Sequence, residues 1–552
     1  MIRSANGKSF VIAILCFVFV YLLPIGFRPM IVPDEVRYAE IPREMIATGD
    51  WIVPRLNGLY YFEKPVLGYW ITAASMLTFG ENPFAVRFPS AMAAGLSALM
   101  VALLVGKATR DGTSSIVASL IFLTCAEVAG TGVFSVLDGM LAAFLTMAMT
   151  TFYFAAQSPR GSFREGSFLT LFGIGCGLAF LTKGFLAFAV PVVVIVPYMI
   201  WSGRWRDLFP MSVIPVIAAV VVCLPWALAV HHKAPDYWNY FFWQEHVKRF
   251  MAEDAQHQAP FWTYLAAFPV AAMPWSALIP TSVMGMDRSL RQTPLVRYAL
   301  CWFVFPLLFF SAASGKLLTY ILPCFAPFAI LMSQGLGAYL VGLPCRGAKS
   351  GITILLILFT VVIVALVVIQ ATGIGGFIPY THAWKAMIAG ISLAGLVFCL
   401  YRALKQVLFF RTLMYVALGM MFFLTVIQWT LPDDTIEHKA PGDLLIRNAD
   451  RVTPETVLVS LEDPLRAVCW YYRRSDVFQL GGGGELSYGL AYPKGRSRLL
   501  DTTRFKALVD SHDSGQVVLV GKAKHYRHWK LQLPPPIYED TSGPGGYVFA
   551  QY

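Results

Sequence analysis

The feature that most constrains this chain is a succession of apolar stretches, each close to twenty residues long, separated by short polar turns between residues 9 and 430. A membrane-spanning α-helix needs roughly 20 mostly apolar residues to cross a hydrocarbon core about 30 Å thick, and about thirteen such spans fit this part of the chain. A membrane barrel would show short alternating strands instead. With 57% hydrophobic and only 14% charged residues in 552, an ordinary soluble globule is excluded. The expected fold is a mainly α-helical, polytopic membrane protein. The first span, residues 9–27, follows Arg3 and Lys8 and competes with a signal peptide. It lacks a small-residue cleavage pattern and runs on through Pro24-Ile25-Gly26-Phe27-Arg28, so a retained anchor is expected.

Orientation follows from the basic residues of the short loops. Lys107 with Arg110, Arg160 with Arg164, Arg204 with Arg206, Arg288 with Arg291 and Arg297, Arg346 with Lys349, and Arg402 with Lys405 and Arg411 recur at every second turn. The positive-inside rule makes those loops cytoplasmic and places the alternate loops, and the chain from about Leu431 onward, on the outer face. The division expected is a membrane part over 1–430, with outer loops 28–82 and 231–262, followed by an outer domain over 431–552. The apolar runs 456–461 and 516–521 read as buried strands between polar helices, so that domain is expected to be α/β. Loop 231–262 holds His231, His232, His246 and His257. Trp226, Trp243, Trp262 and Trp275 read as interfacial belt residues. The cysteines lie mostly inside spans, and no CxxC spacing suggests a thiolate zinc site.

A chain so poor in charge nonetheless crowds Asp34, Glu35, Arg37, Glu40, Arg43 and Glu44, then Glu63 and Lys64, into the first outer loop. Asp138 opens a span, Lys183 sits between two apolar runs, and Lys316 and Tyr320 lie at another outer span end. Unpaired charge in a membrane is expensive, so such residues face a cavity, a partner or a substrate. Together they describe one chemical layer on the outer face. It suits an amphiphilic substrate with an anionic head group: arginine and lysine hold phosphate, and a carboxylate acts as a base or balances charge developing on a sugar carbon. The Gly481–Gly484 run lacks the lysine and hydroxyl of a P-loop, and no nucleotide or organic cofactor is expected. The net charge of +11 is divided between the two faces, which argues against nucleic-acid binding.

Asp34-Glu35-Val36-Arg37-Tyr38-Ala39-Glu40-Ile41, Tyr61-Phe62-Glu63-Lys64-Pro65, Val136-Leu137-Asp138, Leu181-Thr182-Lys183-Gly184, Glu245-His246-Val247-Lys248-Arg249-Phe250 and Gly484-Glu485-Leu486-Ser487-Tyr488-Gly489-Leu490 resemble, in this order, the segments of the lipid A 4-amino-4-deoxy-L-arabinose transferases. The acidic motif alone would support only the wider GT-C class of polyprenyl-phosphate-sugar-dependent membrane glycosyltransferases, which includes protein mannosyltransferases. The resemblance implies a GT-C architecture with a periplasmic C-terminal α/β domain. It also implies transfer of aminoarabinose from undecaprenyl phosphate-aminoarabinose to a phosphate of lipid A, at the periplasmic face of the bacterial inner membrane. In the family this is associated with resistance to polymyxin and cationic peptides. The partners implied are the lipid-linked donor, lipid A and membrane lipids.

By the same resemblance Asp34 and Asp138 are the catalytic carboxylates. Lys64 and Arg249 grip the donor phosphate, Arg37, Tyr38, Lys183 and Tyr320 line the cavity, and Glu485 reaches the amino group of the sugar. Glu63 and His246 are candidate ligands of a divalent metal such as zinc. Bland readings stand beside these. Asp34 also fits a helix cap, Lys64 and Arg249 also fit snorkelling anchors, and Asp138 with Lys183 also fits a structural ion pair. His246 also fits a hydrogen-bonded loop histidine, and Glu485 a solvated loop residue. A protein mannosyltransferase and a lipid flippase or transporter are the competing functions. Charges at outer span ends, not at the bilayer midplane, favour the enzyme.

Overall fold

The computed structural model describes residues 7–248, 258–340 and 346–552. Lipid offers no partners to backbone N–H and C=O groups, so the apolar stretches close their hydrogen bonds internally as helices. Among the described residues nine helices are long and apolar enough to span, from Pro83–Thr109 to Phe409–Ile427. Two helix pairs, Gly112–Thr124 with Ala126–Gly132 and Thr263–Ala271 with Trp275–Gly285, are bent by 66° and 98° and raise the number to eleven if each is one broken span. The difference from thirteen is one of length. Leu186–Trp201 has only 16 residues, about 24 Å of helix, and the first apolar helix contributes only Val11–Leu22.

The chain divides into two compact units. The first comprises Met1–Ile25, Arg87–Ile374 and Trp384–Thr430. Its two bends are stitched to each other: Ala126 N–H, just past one break, donates to the carbonyl of Met273 at the other, at 3.0 Å. The Trp275 indole donates to Thr124 Oγ1 at 2.9 Å. Backbone freed by a broken helix is thereby re-satisfied inside the protein. This also buries Trp275, and Trp226 is buried too, so only Trp243 and Trp262 keep the exposure of an interfacial belt. Gly173 and Gly177 let Phe163–Lys183 approach Leu208–Lys233 closely; a Cβ at Gly173 would stand 2.3 Å from the Pro215 carbonyl oxygen. Ile354, Ile357, Val361, Val364 and Val367 of Arg346–Thr372 are exposed, as a lipid-facing helix requires.

The second unit joins Gly26–Val86, Gly375–Ala383 and Leu431–Tyr552, so the first charged loop belongs to the same compact body as the C-terminal segment. A hairpin, β1 (Arg55–Leu56) and β2 (Leu59–Tyr60), turns through Asn57-Gly58, both at positive φ, as a two-residue hairpin of this twist demands. The C-terminal segment contributes β3 (Val457–Ser460), β4 (Phe478–Leu480), β5 (Leu499–Leu500), β6 (Val517–Lys522), β7 (Tyr538–Thr541) and β8 (Tyr547–Gln551). They form one sheet in the order β5-β4-β3-β6-β8-β7. The two apolar runs expected as strands are β3 and β6, parallel neighbours with Val457 opposite Val517 and Ser460 opposite Val520. Both are nearly continuous in apolar residues because both faces are covered. β4 and β5 extend the sheet on one side of β3 while β6 lies on the other, so the chain order reverses at β3.

Helix Asp34–Thr48 is unlike the rest. It buries Glu35, Arg37, Glu40, Arg43 and Glu44, and every one of these must find a partner. Arg28 grips Glu35 through two bonds of 2.6 and 2.8 Å. Arg43 grips Glu40, one helical turn away, through bonds of 2.7 and 2.6 Å. Glu44 Oε2 accepts from Gly58 N–H at 2.9 Å, while Oε1 has no hydrogen-bond partner. Arg43 thus answers Glu40 by direct bonds and Glu44 only through its field. Burial pushes both carboxyls above the usual glutamate range, against the pull of Arg43.

A carboxyl raised on folding stabilises the fold fully below its unfolded value, about 4.3. That contribution fades as pH rises through the raised value. Glu44→Gln is therefore expected to lose less thermal stability between pH 5 and pH 8 than the unchanged protein, measured by unfolding in detergent. Arg43→Ala, which strands Glu40, is expected to cost about 3–5 kcal/mol in the same measurement.

Candidate active site

The residues expected to act fall into one grouping in each unit. In the second unit the grouping is built on the first turn of helix Asp34–Thr48. Asp34 and Arg37 are one turn apart on the same face, and Arg37 Nη2 pairs with the Asp34 carboxylate. Arg37 Nη1 donates to the Tyr61 hydroxyl at 3.2 Å and to Glu485 Oε2 at 3.0 Å. The Arg37 guanidinium also lies 5.1 Å from the Tyr38 ring centre. Glu485 therefore meets the first loop across 448 residues of sequence. It is brought there by the loop after β4, outside the carboxyl end of a parallel strand, where α/β sheets place their binding groups. Gly484 has φ +51°, and a Cβ there would stand 1.9 Å from Glu462 Oε1, so only glycine lets the chain present Glu485.

Burial alone would raise the Glu485 carboxyl, but Arg37, Arg466 and Lys64 together hold it below the usual range. Arg466, absent from the sequence-based site, pairs with Glu485 Oε2 at 2.5 Å. A sequence signal for it existed: it directly follows the start of the helix after the apolar run that becomes β3. Lys64 Nζ donates to the Glu63 carbonyl at 2.9 Å and adds its charge to the field at Glu485. Asp34 and Glu485 are met by Arg37 and Arg466, with Lys64 adding its field at Glu485 and the Glu63 carboxylate acting on Tyr61, so cations and carboxylates alternate through the grouping. The expectation that Glu485 takes the sugar's amino group meets a carboxylate already shared by two guanidinium groups.

In the first unit Lys183 Nζ meets Asp138 Oδ1 at 2.5 Å, both side chains largely buried. Asp138 lies in the first turn of Leu137–Ala156 and Lys183 in the last turn of Phe163–Lys183. Each charge sits at the helix end whose dipole favours it. Neither has a partner near it in sequence; each is the other's. Lys183 Nζ stands 4.8 Å from the Tyr320 ring centre, a cation–π contact. Lys316 is tied instead to the carbonyls of Ala259 and Ala313 at 2.8 and 2.5 Å.

Arg249 lies outside the described residues, as does the side chain of His246, whose backbone is in the helical stretch Tyr240–Lys248. Among the described residues no three His, Cys, Asp or Glu side chains gather as a metal-binding set. Of the expected ligands only Glu63 is described, and no chemical step below is routed through a metal. An apolar cavity of about 880 Å³ in the first unit is lined by Phe180, Phe185, Phe188, Val192, Val216 and Val220, among others.

A many-spanning helical chain that also carries an α/β segment has the architecture of the GT-C class of membrane glycosyltransferases, an analogy of fold that the relatives turn into a class. The family profile of dolichyl-phosphate-mannose-protein mannosyltransferase matches residues 9–241, and that of the arabinosyl transferase ArnT C-terminal domain matches residues 436–549. An undecaprenyl phosphate-alpha-4-amino-4-deoxy-L-arabinose arabinosyl transferase of Shewanella sediminis is 41% identical over 87% of this chain and 88% of its own length. One from Aeromonas hydrophila is 40% identical over 92% and 93%. The fold matches that of ArnT from Cupriavidus metallidurans bound to undecaprenyl phosphate, with a TM-score of 0.83 and 23% identity, covering 99% of this chain and 98% of the other. The chain belongs to the undecaprenyl phosphate-α-4-amino-4-deoxy-L-arabinose arabinosyl transferase family.

Lys183→Met strands Asp138 in apolar surroundings and is expected to lower unfolding stability by about 3–5 kcal/mol. The double variant Asp138→Asn with Lys183→Met, which removes both charges, is expected to recover most of that loss in detergent thermal unfolding.

Proposed function

We propose that this chain transfers 4-amino-4-deoxy-L-arabinose from undecaprenyl phosphate to a phosphate of lipid A, at the periplasmic face of the bacterial inner membrane. The observation that carries the reading is the close network of guanidinium and carboxylate groups formed by Asp34, Arg37, Arg466 and Glu485, with Lys64 beside it, in a chain that aligns along nearly its whole length with arabinosyl transferases. In the transfer an acceptor phosphate oxygen forms a bond to the anomeric carbon. The bond from that carbon to the donor phosphate breaks, and its electron pair leaves with undecaprenyl phosphate.

The second pKa of a phosphate monoester is near 6, so the acceptor is mostly ionised at neutral pH and needs no strong base. Asp34, already engaged by Arg37, fits orientation of the acceptor or balance of the positive charge developing on the sugar better than proton abstraction. Lys64 is the described cation for the leaving phosphate, whose growing charge it would stabilise as the bond breaks. Arg249 is assigned the same task. The apolar cavity lined by Phe180, Phe185 and Phe188 has the chemistry to take an isoprenoid chain. Adding an amino sugar to a phosphate lowers the negative charge of lipid A.

Mass analysis of lipid A from cells with and without this chain tests reaction and acceptor together. The expected result is aminoarabinose on a lipid A phosphate only when the chain is present; sugar appearing on periplasmic proteins instead would overturn the proposal. Asp34→Asn is expected to reduce transfer by about 100-fold or more while the protein remains in the membrane. Lys64→Ala is expected to weaken donor binding or slow departure of the phosphate, read from KM and kcat separately.

A further inference from the structure

Arg466 is a buried cation with one partner. It lies on helix Leu465–Tyr472, which follows β3, the strand where chain order reverses, and it is only 5% exposed. Its Nη2 meets Glu485 Oε2 at 2.5 Å, and its Nε has no hydrogen-bond partner among the described residues. A buried ion pair of this kind is poor evidence for stability, because two apolar side chains in its place usually serve the fold as well.

Its position is better explained by what Glu485 must do. Glu485 stands on a glycine run with positive φ at Gly481 and Gly484, a backbone with little stiffness of its own. Arg37, the carboxylate's other partner, is already divided among Asp34, Tyr61 and Glu485. Something else must fix the carboxylate. Helix Leu465–Tyr472 packs against helix Asp34–Thr48, so a guanidinium anchored on it holds Glu485 at a set distance from Arg37. The result is a line of alternating charge: Arg466, Glu485, Arg37, Asp34.

We infer that Arg466 is a positioning residue for sugar transfer, locking Glu485 so that Arg37 presents its second nitrogen to Asp34. This rests on the proposed function. The charged and titratable groups around Glu485 are Arg37, Arg466, Lys64 and Tyr61, with Asp34 behind Arg37, Glu63 acting on Tyr61 and Glu462 against the neighbouring Gly484. Removing Arg466 leaves Glu485 with fewer cations against its burial, so it takes up a proton at higher pH and releases Arg37.

The test uses the purified full-length protein with lipid-linked aminoarabinose and lipid A. Arg466→Gln is expected to lower kcat about 10-fold with KM for the donor changed less than about twofold. It should also move the acid limb of the pH–rate profile up by about one pH unit. Arg466→Lys, which keeps the charge, should restore the limb. In a Glu485→Gln background, where both partners are neutral and the fold keeps no stranded charge, Arg466→Gln should add no further loss. An unmoved acid limb, or additive losses in the double variant, overturns the inference. An unchanged protein that transfers no aminoarabinose overturns the functional reading itself, a different result from an active protein indifferent to Arg466.

Discussion

The second unit depends on a helix that carries ionisable side chains into its interior. Helix Asp34–Thr48 buries five of them, and removal from water is repaid only where a partner of opposite charge and good geometry waits. Arg28 for Glu35, Arg43 for Glu40, and Glu485 for Arg37 are those partners. The third lies in the C-terminal segment, so the first loop and that segment settle their charges together. The Asn57 side chain, which donates to the Val477 carbonyl and accepts from its N–H, extends the same joint with neutral bonds.

This division of charge separates support from chemistry along one helix. Glu35 and Glu40 are each held by a guanidinium and Glu44 by one backbone N–H, whereas Asp34 and Glu485 keep part of their surface open. An acidic motif that looks uniform in sequence is therefore not uniform in role. The first unit repeats the economy with two helix ends: Asp138 and Lys183 neutralise each other where helix dipoles already favour them. Lys64, Arg37 and Arg466 stand in the other grouping, and a guanidinium or ammonium group is a natural complement to a phosphate.

Much of the fold was legible because its signals are strong and local. Long apolar runs become spans, and two apolar runs in the last hundred residues become the paired strands β3 and β6. The number of spans was less legible, because a bent pair and a 16-residue helix depart from the length on which such counting rests. The Asn57-Gly58 pair, between the charged motifs, carries a plain hairpin signal of its own. At the site, the direct association of Asp34, Arg37 and Glu485 agrees with the family motifs, while Arg466 was invisible to them. Its meaning comes from sheet topology, which brings the ends of β3 and β4 side by side. Asp138 and Lys183, 45 positions apart, fit an ion pair already in sequence, but only the structure fixes their separation.

The closure of Asn57 onto Val477 spans 420 residues, and that has a consequence for how the protein is made. At 5–20 residues per second, roughly 20 to 90 s of synthesis separate the two segments. Through that interval the first outer loop has left the ribosome with Arg37 and the hairpin still waiting for their partners. A chain cut short between Ile427 and Glu485 would carry every described spanning helix and still lack the carboxylate that completes the Arg37 network. The network therefore closes only late in synthesis, once the C-terminal segment has been made.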